Sequence, residues 1–588
     1  MSAGAGVRFP TLPRRGLGIG LDLRWGDPVG FIALPDGSDG IAPALRAFLA
    51  SQTGACAHTF FSWQPRDRGR LRLADYAPGW DQLCALLPLS LPRALHHTAL
   101  NLAALGGAPR TALLDFTNAL CDRYGFGWIN EDVGFWSVGG RPVPYPLPPL
   151  LDAVGLRACI RNVRECQRAL QAPLVLEFPG FSAGVSLVMG AVDAYDFFRE
   201  LCVETAAPVT LDIAHLLSWR WWQGFRGEAL YDELERLPLA HAFEIHLSGC
   251  EIAGDRFIDA HHGRLLDEQF ALLERLLPLC PNLRAVTFED PRIDETGALE
   301  APSARSLVRL RALCAPWIGQ APEACLPTAT DESRTRPPEV APPVDAIETV
   351  EASTESVLGA LLFDSAARAA WRLERRSAGM AAPPASVFDT VDPAALEETA
   401  AAVRAMVRDR QHRGTGCLAN AFPRTVAAWR AAHTDDTSLD RLFERFLSSP
   451  AATRWREWPG RDGGAALEEC FADFAGALRL VDPSVCQAEL LSSILRSLTV
   501  SPDPAFLPPR GVQRAPGGWF AVQAADPPVL HAALAGRYLC GPITPLVAAL
   551  LRQPHTYEAP SPATDVPADV AAVQAVRTRL VEMGLLPQ

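Results

Sequence analysis

At 588 residues the chain is longer than one hydrophobic core usually organises, so more than one domain is expected. With 48% hydrophobic and 21% charged residues it has the make-up of a globular protein, and its net charge of −13 excludes a phosphate-binding surface spread over the whole molecule while leaving room for a local basic groove. The first residues, "MSAGAGVRFPTLPRRG", lack the apolar core of a signal peptide, no apolar run is long enough for a bilayer, and the 14 cysteines form no Cys-x-x-Cys pair; reduced thiols in a cytoplasm, with no membrane partner, are the expectation.

In chain order, short apolar runs alternate with helix-like segments. "GLGIGLDL" opens the series, followed by "PRALHHTAL", "YGFGWINEDVGFW", "APLVLEFPG", "APVTLDIAHLL", "AFEIHLSG" and "LRAVTFED". Between them, "LLDAVGLRACIRNVRECQRALQ" and "DEQFALLERLLPLC" carry the spacing of amphipathic helices. Alternation of this kind over about 300 residues predicts an α/β fold, a (β/α)8 TIM barrel. An open doubly wound sheet is the rival, but no Gly-x-Gly-x-x-Gly turn supports it.

The stretch 319–345, "GQAPEACLPTATDESRTRPPEVAPPVD", is rich in Pro, Thr, Ala and Glu without apolar periodicity and reads as a linker. It divides a barrel domain at 1–318 from a second domain at 346–588. In the latter, "DPAALEETAAAVRAMVRDRQ", "SLDRLFERFLSSPAATRWREW" and "ALEECFADFAGALRLV" read as helices, and "GGWFAVQ" as a strand. This part is expected to be mainly helical, with a small sheet near its end.

Barrel enzymes work at the C-terminal ends of their strands, so the polar residues that end the apolar runs are the candidates. They are His96, Asp132, Glu177, Asp212, His215, His246, Asp259, His261 and Glu289, nearly all histidines or carboxylates. Carboxylates crowded into one mouth repel and hold each other's protons unless a cation neutralises them. Imidazole mixed with carboxylate suits iron, manganese or zinc, and nine ligands suit two or three ions better than one. Asp132, His215 and Glu289 are also the candidates for catalytic roles. The plainer explanation is that single acidic residues at strand ends cap helices, and Asp212 alone fits that description. His97, His262 and Glu131 are the weaker members of their pairs. Asp259-x-His261 is expected to place both side chains on one side of an extended segment, beside His246.

The ordered series His96, Asp132, Glu177, Asp212-x-x-His215, His246, Asp259-x-His261 and Glu289 resembles that of xylose-isomerase-like barrels with trinuclear sites, endonuclease IV among them. The finer resemblance is to the multinuclear non-haem iron-dependent oxidases of the methanobactin-biosynthesis type. It is carried by "GLGIGLDLR", "PLSLPRALHHTALNLAALGG", "NEDVGFWSVGG", "LVLEFPG", "TLDIAHLLS", "EIHLSG" and "FIDAHHG", across about residues 15–300. Many members have Ser-Glu-His where this chain has Asn130-Glu131-Asp132, and Glu-Asn where it has Glu177-Phe178.

The resemblance implies an oxidoreductase that holds two or three iron ions in mixed valence and uses O2 as co-substrate. Its substrate would be a ribosomally made precursor peptide, modified at cysteine, with an external electron donor compatible with the scheme and no nucleic-acid partner. Family members work with a separate protein that presents the peptide, and "NAFPRTVAAWRAAH" and "LFERFLSSPAATRWREWP" resemble such partners. The second domain is therefore expected to present the peptide, fusion raising its effective concentration. The competing readings are a metallohydrolase or isomerase on the same barrel, such as an abasic-site endonuclease, and a non-catalytic peptide-binding scaffold.

Overall fold

The computed structural model describes residues 7–12, 14–21, 43–52, 56–63, 73–106, 110–320, 344–374, 386–413, 418–433, 438–455, 467–500, 511–552 and 568–587. The expected linker lies, for 321–343, outside the described residues.

Eight parallel strands close into a barrel: β1 (Gly16–Leu21), β2 (Thr59–Trp63), β3 (Arg93–His97), β4 (Phe126–Asp132), β5 (Leu174–Glu177), β6 (Val209–Asp212), β7 (Ala242–Leu247) and β8 (Ala285–Glu289). Each pairs with its sequence neighbours, and β1 closes on β8. Helices follow them in turn: α1 (Pro43–Gln52), α2 (Leu73–Ala85), α3 (Thr111–Tyr124), α4 (Ala153–Ala169), α5 (Ala194–Thr205), α6 (Ile213–Trp222), α7 (Asp267–Leu279) and α8 (Ala301–Cys314). The expected (β/α)8 barrel is thus present. The strands read as continuous apolar runs because both faces are covered, one by the helices and the other by the barrel interior. β2, "TFFSW", was not among the anticipated runs.

Register decides where the polar strand ends come to lie. Asp132 on β4 sits level with Glu177 on β5, Asp212 on β6 with His246 on β7, and Glu289 on β8 with Gly20 on β1. A side chain on Gly18 would collide with the imidazole of His58, 2.2 Å from where its Cβ would stand; glycine there lets a histidine fill the interior. The lower barrel is apolar, built from Leu12, Phe60, Ala94, Trp128, Val175, Phe243 and Ala285.

Two hairpins decorate the mouth, one of Phe135–Val138 and Arg141–Leu147 after β4, the other of Cys250–Ala253 and Arg256–Asp259 after β7. A ninth helix, α9 (Val344–Phe363), packs on the first of them. The chain forms two compact units, and the larger includes α9 and runs on to Val403. Residues 344–403 group with the barrel, the division falling within the helix Pro393–Arg413.

The other unit contains helices Pro423–Ala432, Ser438–Leu447, Leu467–Leu478 and Pro483–Val500 around Phe422, Trp429, Phe443, Phe446 and Phe471. A four-stranded antiparallel sheet follows, Val512–Ala515, Gly518–Gln523, Val529–Leu534 and Arg537–Pro542. This agrees with a mainly helical region carrying a small sheet. Among the described residues no helix is long and apolar enough to cross a membrane.

Candidate metal centre

Glu177 ends β5 at the middle of the mouth. One carboxylate oxygen faces His96 Nε2 at 3.0 Å and the other faces His246 Nδ1 at 3.2 Å. Three buried sets of ligand-type groups, each within 4.8 Å of one another, share this residue: His96, Glu177 and His246; Glu177, Asp212, His246 and Glu289; Asp132, Glu177 and His215.

His215 is placed by its own segment. Asp212 Oδ1 accepts from the His215 backbone N–H at 2.8 Å, which starts α6 with the imidazole turned to the mouth. His215 Nδ1 then donates to the Phe178 carbonyl at 2.7 Å, fixing the tautomer and leaving Nε2 to face Asp259 Oδ2 at 3.5 Å. Gly180 makes room, since a Cβ there would stand 3.0 Å from the ring. Asp212 is therefore a helix cap and a member of the cluster at once.

The hairpin after β7 brings Asp259 back beside β7. Its carboxylate meets His261 Nε2 at 3.2 Å and accepts from Tyr145 Oη at 2.7 Å. His261 Nδ1 is in turn 3.0 Å from Asp290 Oδ2. The segment is not extended as expected: His261 has φ 47°, and it is this left-handed turn that folds its ring back towards Asp259. The nine candidates thus gather in one mouth. Three sets join His96, Asp132, Glu177, Asp212, His215, His246 and Glu289, while Asp259 and His261 extend the cluster past His215.

Alternation along β4 separates the neighbours of Asp132. Glu131 points away from the interior and pairs with His97 Nδ1 at 3.0 Å, while His97 Nε2 meets Thr117 on α3. Neither belongs to the three sets. His262, whose Nδ1 accepts from the Arg264 backbone N–H at 3.3 Å, is also outside them.

Burial and crowding set the protonation of the cluster. For His96, burial works against the charged form, but Glu177 beside it wins and the imidazole is pushed up to about 9. Burial pushes Glu289 up to about 8, and burial together with neighbouring carboxylates pushes Asp132 and Asp212 up to about 6. Burial resists ionisation of Glu177 too, yet His246 and His96 hold its carboxyl well below the usual range. Without a cation the mouth therefore retains protons that metal binding would displace.

A second polar layer lies one step deeper and escaped sequence reasoning. Glu244, two residues before His246 on the same face of β7, is fully buried. It accepts from Trp128 Nε1 and Asn130 Nδ2, both at 2.9 Å, and from Thr287 Oγ1. His58 Nε2 lies 2.8 Å from Thr287 Oγ1, and His246 Nε2 lies 3.3 Å from Glu244 Oε1. His246 is thus held between a carboxylate in the mouth and one below it. Asp290, adjacent to Glu289, and Tyr145 were also missed.

The residues fit a multinuclear metal centre: imidazole and carboxylate are mixed, Glu177 belongs to every set, and His215, His246 and His261 each have a partner behind the nitrogen aimed at the cluster. Residues 81–305 match the family described as RiPP precursor modification enzyme MbnB/TglH/ChrH. UPF0276 proteins are among its relatives. One from Caulobacter vibrioides is 26% identical over 183 residues, 31% of this chain and 63% of its own length. Another, RB0508 from Rhizobium meliloti, is 26% identical over 225 residues, 37% of this chain and 71% of its own. The chain therefore spans a little under two thirds of the Caulobacter protein. Among solved structures, that of AsfvAP:AG covers 52% of this chain and 98% of its own at 12% identity, with a TM-score of 0.28 too slight to carry an argument.

Proposed function

We propose that the protein is an iron- and O2-dependent oxidase that modifies a ribosomally synthesised precursor peptide at a cysteine, in a cytoplasm. The observation that carries the reading is Glu177, shared by three buried ligand sets inside the stretch that matches the peptide-modification family. His96, Asp132, Glu177, Asp212, His215, His246, Asp259, His261 and Glu289 would hold two or three iron ions. Bound iron would supply thiolate binding and electron transfer with O2, which protein side chains alone lack.

The chain's own contribution is position and proton control. The Phe178 carbonyl and Asp290 orient His215 and His261, so their free nitrogens face the mouth. Asp132 and Glu289, with carboxyl groups raised towards neutrality, are suited to take and return a proton from the reacting peptide. The unit from Arg404 onward would present the peptide, its covalent attachment raising the peptide's effective concentration at the barrel.

The test is to purify the full chain without oxygen, determine its metals by elemental analysis, and add a Cys-containing precursor with and without O2. The reading expects iron at two or more equivalents and a peptide mass change that requires O2 and the cysteine. Tightly held zinc with no iron-dependent turnover, or equal modification of a Cys→Ser peptide, would refute it.

A further inference from the structure

Glu355 lies on α9, beyond the linker, yet its carboxylate ends in the loops of the barrel mouth. One oxygen accepts from the backbone N–H groups of Leu105 at 2.8 Å and Gly106 at 3.0 Å, in the loop after β3. The other accepts from the N–H of Gly139 at 2.9 Å, in the turn of the hairpin after β4. A carboxylate that takes three backbone N–H groups from two separate loops is a clamp, and bonds of this charge-assisted kind are among the stronger ones.

The helix is seated on that hairpin by two further features. Gly359 allows close approach, since a Cβ there would stand 2.8 Å from Arg141 Nη2 and 3.6 Å from Val138 Cγ1. The Arg141 guanidinium stacks over the ring of Phe363, 4.2 Å from its centre. Deeper in, Asn101 joins the same two loops, its Oδ1 accepting from the Trp136 N–H at 2.7 Å. These loops follow the strands that carry His96 and Asp132, and the hairpin carries Tyr145, whose hydroxyl donates to Asp259.

We propose that Glu355 is a positioning residue for the metal centre: it locks the loop after β3 to the hairpin after β4, so that the chain beyond the linker completes the mouth of the barrel. The clamp rests on hydrogen bonds and packing, and of the preceding reading it needs only that the mouth binds a cation. Residues 344–363 are then part of the barrel's working structure, and a chain ended at the linker would have a loosened mouth.

Amide hydrogen exchange on the full chain tests this directly. Glu355→Ala should speed exchange at Leu105, Gly106 and Gly139 by about tenfold or more, the loss of a hydrogen bond to a charged group, while the strands β5 to β7 keep their protection. Glu355→Gln retains one carbonyl oxygen, so it should protect one loop and release the other, a split that general destabilisation would not produce. In the same two variants, Zn2+ loaded as a probe and withdrawn by a chromogenic chelator should leave several-fold faster than from the unaltered protein. Unchanged exchange at the three amides, or a rise spread evenly over the barrel, overturns the clamp. Faster exchange with unchanged Zn2+ release overturns its service to the site. Failure of the intact protein to hold Zn2+ at all would count against the metal centre, and the exchange data would still decide the clamp.

Discussion

The barrel mouth and the unit from Arg404 onward both bury ionisable side chains, but in opposite ways. In the smaller unit Glu489 is a local solution: it accepts from the Thr425 hydroxyl at 2.6 Å and from the backbone N–H groups of Arg424 and Thr425, closing the start of the helix Pro423–Ala432. His531 sits in the sheet between the Tyr538 hydroxyl at 2.8 Å and the Gln523 amide at 3.2 Å, and His433 stacks on Trp429. Glu489, His531 and His433 each have neutral neighbours. In the mouth, carboxylates and imidazoles instead face one another, and Glu177 is held ionised only because His96 and His246 flank it. Buried charge satisfied by backbone is architecture; buried charge facing buried charge needs a cation or a proton.

The comparison breaks most sharply at His246. Replacing it by Ala removes a member of two ligand sets and leaves Glu177 and Glu244 buried with one fewer cationic neighbour. Cation affinity should fall by more than the roughly 10–100-fold that loss of an outer partner costs, with peptide modification abolished. Elemental analysis against the unaltered protein checks it, and full metal content with normal turnover would remove His246 from the centre.

Acid should act on the cation affinity of the mouth. His96 is pushed up to about 9, Glu289 to about 8, and Asp132 and Asp212 to about 6, so each carries protons at a higher pH than it would in an unfolded chain. A cation must displace those protons, so its affinity rises with pH between about 6 and 9, by about tenfold per pH unit for each proton released, and collapses below about 6. Binding of Zn2+ measured at pH 6, 7 and 8 shows the slope; a flat profile would mean that the cation does not meet these groups.

Asp290→Asn should sharpen the picture of how the centre is held. Its carboxylate backs His261 Nδ1 at 3.0 Å, the arrangement by which outer carboxylates orient a ligating ring. A drop in cation affinity of about 10–100-fold is expected, smaller than for His246→Ala, with the fold unaltered by circular dichroism. Equal affinity in the two proteins would show that the left-handed turn at His261 orients the ring unaided.

The parts of the site legible in the sequence were those at strand ends, where an apolar run stops on a single polar residue: "LVLE", "TLD" and "AVTFE" announce Glu177, Asp212 and Glu289. Glu244 and His58 were not legible, because a polar residue inside a strand looks the same whether it faces a helix or the interior. β2 was missed for a related reason: "TFFSW" ends on no histidine or carboxylate. The clamp by Glu355 joins residues about 250 positions apart in sequence, and nothing local to "EASTESVLG" marks it. The linker was visible as composition, but composition says nothing of which side the next helix packs on; α9 went with the barrel.

The smallest effect belongs to the unit where burial is local. Glu489→Ala would leave the Thr425 hydroxyl and the N–H groups of Arg424 and Thr425 without their Glu489 acceptor at the start of this helix. An unsatisfied group of this kind costs about 1–3 kcal/mol, as does loss of a helix cap at the upper end of its range. Amide exchange in Pro423–Ala432 should therefore quicken by about 5–150-fold. The barrel is expected to keep its cation affinity and its pH slope, since Glu489 belongs to none of the ligand sets. If Glu489→Ala instead emptied the mouth of metal, the two regions would be coupled in stability, and the contrast between local and mutual satisfaction of buried charge would fail at its first premise.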